Sequence, residues 1–323
     1  MIKAVIARVN KFQYEKYAAF IALAVLFVIS AIVSPYFTHI QNLLNILRQV
    51  SYVGIIALGM TFVMIGGGID LSVGSLIAFI GAVGILTLNY LMAVFNNEYL
   101  AISGAILAAL IMGILSGALN GFLITRGRIA PFIVTLGTMA IFRSLSLFMA
   151  SAGEIRSVSG HYGEFGMNSI WFLPVPVLIM LIIAAILSII LNSTRYGRHL
   201  CAVGSNPRVA LFSAINGDRI KLLSYMLCGF TVSVSAVMLT SRFNAVSTSN
   251  TGMGFELDAI TAVIIGGTPF TGGRGTIWGT IVGVIILGII NNMLNMLGIS
   301  PYLQGTVKGL VIIGAVYMQR QKS

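Results

Sequence analysis

Uncharged stretches of about twenty residues recur along the 323-residue chain and constrain its fold more than any other feature. A helix of that length crosses the hydrocarbon core of a bilayer, where only helices and closed barrels satisfy all their backbone polar groups. Hydrophobic residues make up 58% of the chain and charged residues 8%. A water-soluble core cannot enclose that much apolar surface, because single cores stop growing near about 250–300 residues. The pattern predicts an all-α membrane protein.

Ten segments have the composition of transmembrane helices, although Arg143 interrupts the fifth and the eighth is too short to span alone. They are residues 17–34, 49–65, 71–92, 100–125, 131–150, 170–193, 222–241, 259–267, 276–298 and 302–318. We expect them to form one transmembrane domain over residues 1–323, with both termini on the same side. Helices 2–5 and 7–10 would form an inverted repeat, since an offset of five spans reverses direction.

The basic residues indicate on which side the termini lie. Fourteen of the 19 lysines and arginines fall on the side of the termini and three on the other, while Arg143 and Lys308 lie within spans. Cytoplasmic loops carry such an excess, so both termini are predicted to be cytoplasmic. The net charge of +11 does not indicate a nucleic-acid partner, because the basic residues cluster in short segments that would meet membrane lipid.

Residues 195–221 form the longest predicted cytoplasmic stretch after the amino terminus. Asn206 is a good N-cap and Pro207 suits the first helical position, so a helix is predicted from Arg208 to Ile215. Asn216 would close it. A short helix that lies along the membrane surface could be displaced by a cytosolic partner that binds to it. A basic loop that contacts only lipid headgroups explains the same residues equally well.

Asp70 lies in a glycine-rich segment between the second and third predicted spans, with Ser72 close by. An aspartate at the start of a helix can accept hydrogen bonds from free backbone N–H groups, which is a structural role. An ionisable group at membrane depth can also belong to a gate or a substrate path. The sequence leaves both roles open.

Catalytic and nucleotide-binding patterns are missing from the sequence. Its three histidines, His39, His161 and His199, lie in different loops, and neither GxSxG, HExxH nor GxxxxGK[ST] occurs. No cofactor or metal site is predicted, and the chain is not expected to be an enzyme. An active transporter of this kind would draw its energy from an ion gradient or from another subunit.

Four stretches carry a family resemblance: GMTFVMIGGGIDLSVGSLIAFIGAV, RYGRHLCAVGSNPRVALFSAING, FELDAITAVIIGGTPFTGGRGTIWGT and LNMLGISPYLQGTVKGLVIIGAV. They resemble the permease subunits of monosaccharide ABC importers, the ribose permeases above all, from about Tyr36 to Met318. The resemblance implies a cobalamin-importer-like permease fold in the bacterial cytoplasmic (inner) membrane. It also implies three partners: an ATP-binding cassette subunit, an extracytoplasmic sugar-binding protein and a second permease subunit, identical or paralogous.

In the family pattern, residues 204–216 hold the coupling helix that docks on the ATPase. The positions assigned to coupling are Gly204, Asn206, Pro207, Ala210, Ser213, Ile215 and Asn216. Family members often carry a second small residue beside the matching alanine, whereas Val209 and Leu211 flank Ala210 here. The resemblance favours partner contact over lipid contact for this segment.

A sugar path between subunits would need polar side chains at membrane depth. The candidates for a gate or path are Asp70, Ser72, Asn120, Thr135, Thr138, Asn291 and Asn292. Hydrogen bonding between helices is the alternative role for each of the buried amides and hydroxyls. The alternative function is an ion-coupled secondary transporter of small polar solutes, which would use carboxylates at the midplane, and Asp70 comes nearest to that description.

Overall fold

The computed structural model describes residues 19–320, which form thirteen helices and four very short strands. The helices are α1 Ala19–Val33, α2 Ile40–Ile65, α3 Val73–Phe95, α4 Glu98–Thr125, α5 Pro131–Met149, α6 Tyr162–Met167, α7 Val175–Ser193, α8 Arg195–Ser205, α9 Pro207–Phe212, α10 Gly217–Phe243, α11 Phe255–Ile265, α12 Ile277–Met296 and α13 Pro301–Arg320. The strands are β1 Glu154–Arg156, β2 Ser169–Ile170, β3 Leu173–Pro174 and β4 Ala245–Ser247.

Every predicted transmembrane segment falls on a helix, although the start of the first lies outside the described residues. Seven helices in the described part of the chain are long and apolar enough to cross a membrane: α2, α3, α4, α5, α7, α10 and α12. The described part of α1 has 15 residues and α11 has 11, while α13 carries Lys308. The architecture is therefore that of a multi-pass, all-α membrane protein.

Helix α2 lies at the centre of the bundle and packs against α7, α10, α11 and α12. Its second half, from Val50 to Ile65, is almost entirely buried. Helices α4 and α10 form the most extensive contact between two helices. There Gly113 and Gly117 face the backbone of Gly229 and Tyr225 so closely that an added Cβ would collide. The four-residue glycine spacing of α4 thus allows the two helices to pack closely.

The strands lie between helices and add little to the core. Strand β1 pairs with β4 in antiparallel register, with Ile155 opposite Val246, and β2 pairs with β3 in a tight hairpin directly before α7. Helix α6 packs on α10. Because α7 leads into α8 at its other end, this strand-bearing end of the bundle is opposite to the end that carries α8 and α9.

Candidate coupling and gating site

Helices α2 and α11 end in the same kind of turn. In each turn a glycine takes a positive φ, +76° at Gly67 and +96° at Gly267, which side chains with a Cβ rarely adopt. The next N–H, of Gly68 in one and of Thr268 in the other, returns to a carbonyl five residues earlier at 2.9 and 3.1 Å. Both carbonyl ends are thus closed by the backbone, without a side-chain cap.

The end of α2 contacts helix α8 and the loop that follows the α11 turn. The N–H of Gly273, in the loop after α11, donates to the carbonyl of Ile65 at 2.8 Å. Gly204 of α8 lies against the same carbonyl, and a Cβ added there would collide with it and lie 2.6 Å from the Gly273 nitrogen. The hydroxyl of Ser205 donates to the Gly273 carbonyl at 3.4 Å. We call this contact of Ile65, Gly204, Ser205 and Gly273 the glycine junction.

The helix predicted to begin at Asn206 and Pro207 does begin there, as α9. The Asn206 side-chain oxygen accepts from two backbone N–H groups of the first turn, at 3.1 and 3.2 Å. This cap separates α9 from α8, which occupies residues 195–205 and was not predicted. The segment predicted to be cytoplasmic is therefore two helices joined at Asn206, of which the first lies on the glycine junction.

The end of α9 differs from the prediction. The helix ends at Phe212, not at Ile215, because Ala214 adopts a positive φ of +57° and the N–H of Ile215 returns to the carbonyl of Ala210 at 3.0 Å. The helix is therefore a turn and a half, and Ser213 lies at its C-cap. Asn216 does not close α9 but caps α10 instead.

The outer face of α9 is apolar and exposed. Val209, Leu211 and Phe212 are 58%, 71% and 89% exposed, whereas Ala210 is buried against the bundle. Ser213 is exposed beside them. Val209 and Leu211, which flank Ala210 where family members often carry a second small residue, therefore lie on the exposed surface of α9. Their size can affect the fit of a partner without disturbing the bundle.

Three of the predicted gate residues form one buried cluster beside the glycine turn that follows α2, which we call the first turn. The Asp70 carboxylate, 2% exposed, accepts from the backbone N–H and the hydroxyl of Ser72 at 2.9 and 2.6 Å. Asn120 of α4 donates to the Ser72 hydroxyl at 2.9 Å and to Asp70 at 3.4 Å. Burial raises the pKa of Asp70, while these hydrogen bonds act in the opposite direction. Within residues 19–320, Asp70 has no ion-pair partner.

Tyr225 of α10 completes this site and was missed by sequence reasoning. Its hydroxyl donates to the carbonyl of Ile69 at 3.0 Å, and it is 2% exposed. A buried tyrosine needs a hydrogen-bond partner, so its place in an apolar span was a signal. The turn around Asp70 is thus tied to α4 through Asn120 and to α10 through Tyr225.

The other predicted path residues do not join this cluster. Thr135 and Thr138 are buried in α5 and donate to carbonyls of their own helix at 2.9 and 3.3 Å. Asn292 exchanges two hydrogen bonds with Asn42, at 2.8 and 3.2 Å, and so connects α12 to α2. The side-chain oxygen of Asn291 is buried without a partner among the described residues.

The two basic residues inside predicted spans have clear partners. Lys308 of α13 pairs with Asp258 of α11 at 2.9 Å. Arg143 of α5 donates to the carbonyls of Thr248 and Thr251, at 2.7 and 3.1 Å, in the loop that leads to α11. Both side chains therefore position α11, the short helix whose second end forms the glycine turn.

Comparison with known proteins identifies relatives over nearly the full length. The family described as branched-chain amino acid transport system / permease component matches residues 42–316. The ribose import permease RbsC of Bacillus subtilis (strain 168) is 41% identical, over 96% of this chain and 94% of the relative. RbsC of Escherichia coli (strain K12) is 39% identical, over 94% and 92%. The D-allose transport system permease protein AlsC of the same strain is 37% identical, over 95% and 92%. No solved structure matches.

Proposed function

Since the chain belongs to the family of branched-chain amino acid transport system permease components, we propose that it is the transmembrane subunit of an ABC importer for a small sugar, ribose in the first instance. The observation that carries this proposal is the identity of 36–41% to ribose import permeases over at least 94% of the chain. A permease of this kind is not an enzyme, and ATP hydrolysis belongs to a separate subunit.

The geometry supports a mechanical role for residues 195–221. An ATP-binding cassette subunit would dock on the exposed apolar face of α9, formed by Val209, Leu211 and Phe212. Displacement of α9 would carry α8 with it, because the two are joined directly at Asn206. At the glycine junction, α8 contacts the Ile65 carbonyl at the end of α2 and Gly273 in the loop after α11, through backbone atoms that cannot yield as a flexible side chain would.

The Asp70 cluster lies next along this route. The first turn is tied to α4 by Asn120 and to α10 by Tyr225, so a shift at the junction reaches both helices. In our proposal the cluster is a gate element that fixes the turn in one of two arrangements. The polar side chains of Thr135, Thr138, Asn291 and Asn292 are proposed as path or helix-contact residues.

We propose the full topology on the same basis. The ten apolar helices would form one cobalamin-importer-like domain over residues 1–323, with an inverted repeat, both termini cytoplasmic and α8–α9 on the cytoplasmic side. The protein would work in the bacterial cytoplasmic membrane with a second permease subunit, which is identical or paralogous. An extracytoplasmic sugar-binding protein would deliver the sugar at the opposite, strand-bearing end.

Reconstitution with an ATPase subunit and a ribose-binding protein tests the proposal. Ribose uptake into proteoliposomes is expected to need ATP and the loaded binding protein. Ser213→Arg places a charged side chain beside the apolar face of α9 and should abolish ATP-driven uptake while the permease still inserts. Ser213→Ala removes only the hydroxyl and should leave uptake near that of the parent. Uptake that needs an ion gradient and no ATPase would instead support ion coupling at Asp70.

A further inference from the structure

The hairpin before α7 carries two adjacent exposed aromatic side chains at the strand-bearing end. Ser169–Ile170 and Leu173–Pro174 pair in antiparallel register, and Trp171 and Phe172 form the two-residue turn between them. Trp171 is 93% exposed and Phe172 is 66% exposed. The turn therefore presents two adjacent aromatic rings away from the protein.

The conformation of Trp171 conflicts with its residue type. Its φ is +60°, whereas that of Phe172 is not positive. A two-residue hairpin turn with a positive φ at its first position is normally filled by glycine, and a bulky residue there is strained. Residues kept in unfavourable backbone conformations tend to mark functional sites. Since the Trp171 side chain is 93% exposed, packing among the described residues does little to offset this strain, and we look for its partner outside the chain.

The sequence on both sides of the hairpin is free of charge over a long stretch. No charged residue lies between Glu164 and Arg195, a stretch that contains the hairpin and all of α7. Helix α7 has 19 residues and is about 28 Å long at 1.5 Å per residue, which matches the hydrocarbon thickness. Its first residue, Val175, follows the hairpin directly. The turn is therefore placed at the level where α7 leaves the apolar core of the membrane.

Helix α7 also presents an outward apolar stripe. Ile182, Ile186 and Ile189 recur at helical spacing and are 59%, 51% and 61% exposed. The aromatic turn continues this stripe beyond the helix start. Tryptophan is enriched where bilayer and water meet, because its ring is apolar and its N–H is polar. A docking site for a soluble protein would be expected to have a polar rim, which this stretch does not supply.

We propose that the Trp171–Phe172 turn inserts into the boundary between headgroups and acyl chains as an aromatic lipid anchor, in the leaflet opposite the coupling segment. That this is the outer leaflet rests on the proposed function, but the anchor itself does not. The anchor fixes the start of α7, and the hydrogen bond from the Val175 N–H to the Asn168 carbonyl at 3.0 Å connects it to the end of α6.

The chain has two tryptophans, which makes the test direct. Trp278→Phe leaves Trp171 as the sole indole, in bilayers that contain phospholipids brominated at defined depths. We expect about twofold or greater quenching by bromines near the headgroup boundary, less by bromines near the chain ends, and little by aqueous iodide. Strong iodide quenching without lipid quenching would overturn the proposal. Relief of that iodide quenching by a sugar-loaded binding protein would assign the turn to protein docking instead.

A second variant separates the anchor from the fold. Trp171→Gly suits the positive φ, so its melting temperature in detergent should equal or exceed that of the parent. The rise in melting temperature on transfer from detergent to a bilayer should be smaller for this variant. An equal rise in both proteins would contradict the anchor. The lipid-quenching and melting measurements need neither ATPase nor sugar, so failure here is distinct from failure of the proposed transport function.

Discussion

The two glycine turns share their backbone geometry but are fastened in different ways. The first, after α2, is tied to the bundle by polar side chains: Asp70 and Ser72 bond Asn120, and Tyr225 bonds the Ile69 carbonyl. The second, after α11, has no such cluster, and its buried Thr268 hydroxyl has no partner among the described residues. Instead, the loop that follows it contacts α8 and the end of α2 through backbone atoms at the glycine junction.

This difference suggests a division of roles. The first turn is fixed to α4 and α10, which form the most extensively packed helix pair. The loop after the second turn contacts both that fixed element and the coupling segment. A displacement of α8 would therefore act on Gly273 and on the Ile65 carbonyl together, and would reach Asp70 through the end of α2.

Gly204→Val should have the largest effect, because the larger side chain would force α8 away from the end of α2. Its Cβ would collide with the Ile65 carbonyl, and backbone atoms cannot move aside cheaply. We expect a loss of about 3 kcal/mol of stability. A lower melting temperature in detergent and loss of the monodisperse peak in size exclusion would show it. Gly217→Ala is the matched control, since its Cβ would meet only Val203 at 3.6 Å. A parental melting temperature for Gly204→Val would disprove the close contact.

Asp70→Ala should have the second largest effect, since it removes the carboxylate that accepts hydrogen bonds from Ser72 and Asn120 at the first turn. The Ser72 N–H and the Asn120 amide would lose a buried acceptor, which costs about 1–3 kcal/mol. Thermal unfolding in detergent measures this loss, and sugar uptake should fall with it. Asp70→Asn keeps the acceptor to Ser72 and should recover part of the stability. Full stability in the alanine variant would mean that the cluster does not fasten the turn.

Thr268→Val should have the smallest effect. The hydroxyl it removes is buried but makes no hydrogen bond in the described structure, and valine has nearly the same shape. We expect a change within about 0.5 kcal/mol, or slight stabilisation. A drop as large as that of Asp70→Ala would show that the second turn is fastened by side chains too, and the contrast between the turns would fail.

Much of the fold could be predicted because a bilayer limits the choice of structure. The predicted apolar stretches lie on helices where the structure describes them, seven of these helices are long and apolar enough to cross a membrane, and the cap at Asn206 was correctly placed. Helix α8 was missed because residues 195–205 lie outside any long apolar stretch and contain two glycines and two arginines. The end of α9 was misplaced because the positive φ of Ala214 does not follow from its residue type.

The site could be predicted only in part for a similar reason. Asp70 and Ser72 are neighbours in the chain, but Asn120 joins them only through helix packing. The place of Tyr225 in an apolar stretch signalled a buried hydrogen bond but did not identify its partner. The glycine junction brings together residues as distant in sequence as Ile65, Gly204 and Gly273. Such close backbone contacts require glycines, so the sequence shows that they are possible. It does not show which glycines contact each other.

The ratio of sugar transported to ATP hydrolysed tests the central claim most directly, in proteoliposomes that carry the ATPase and the binding protein. Gly273→Ala and Gly267→Ala impose the same positive-φ strain, at +81° and +96°, but only the Cβ at residue 273 would meet α8, at 2.9 Å from the Ser205 Cα. If motion passes through the glycine junction, Gly273→Ala should lower the ratio while Gly267→Ala keeps it near the parental value. Equal ratios in both variants would contradict the account.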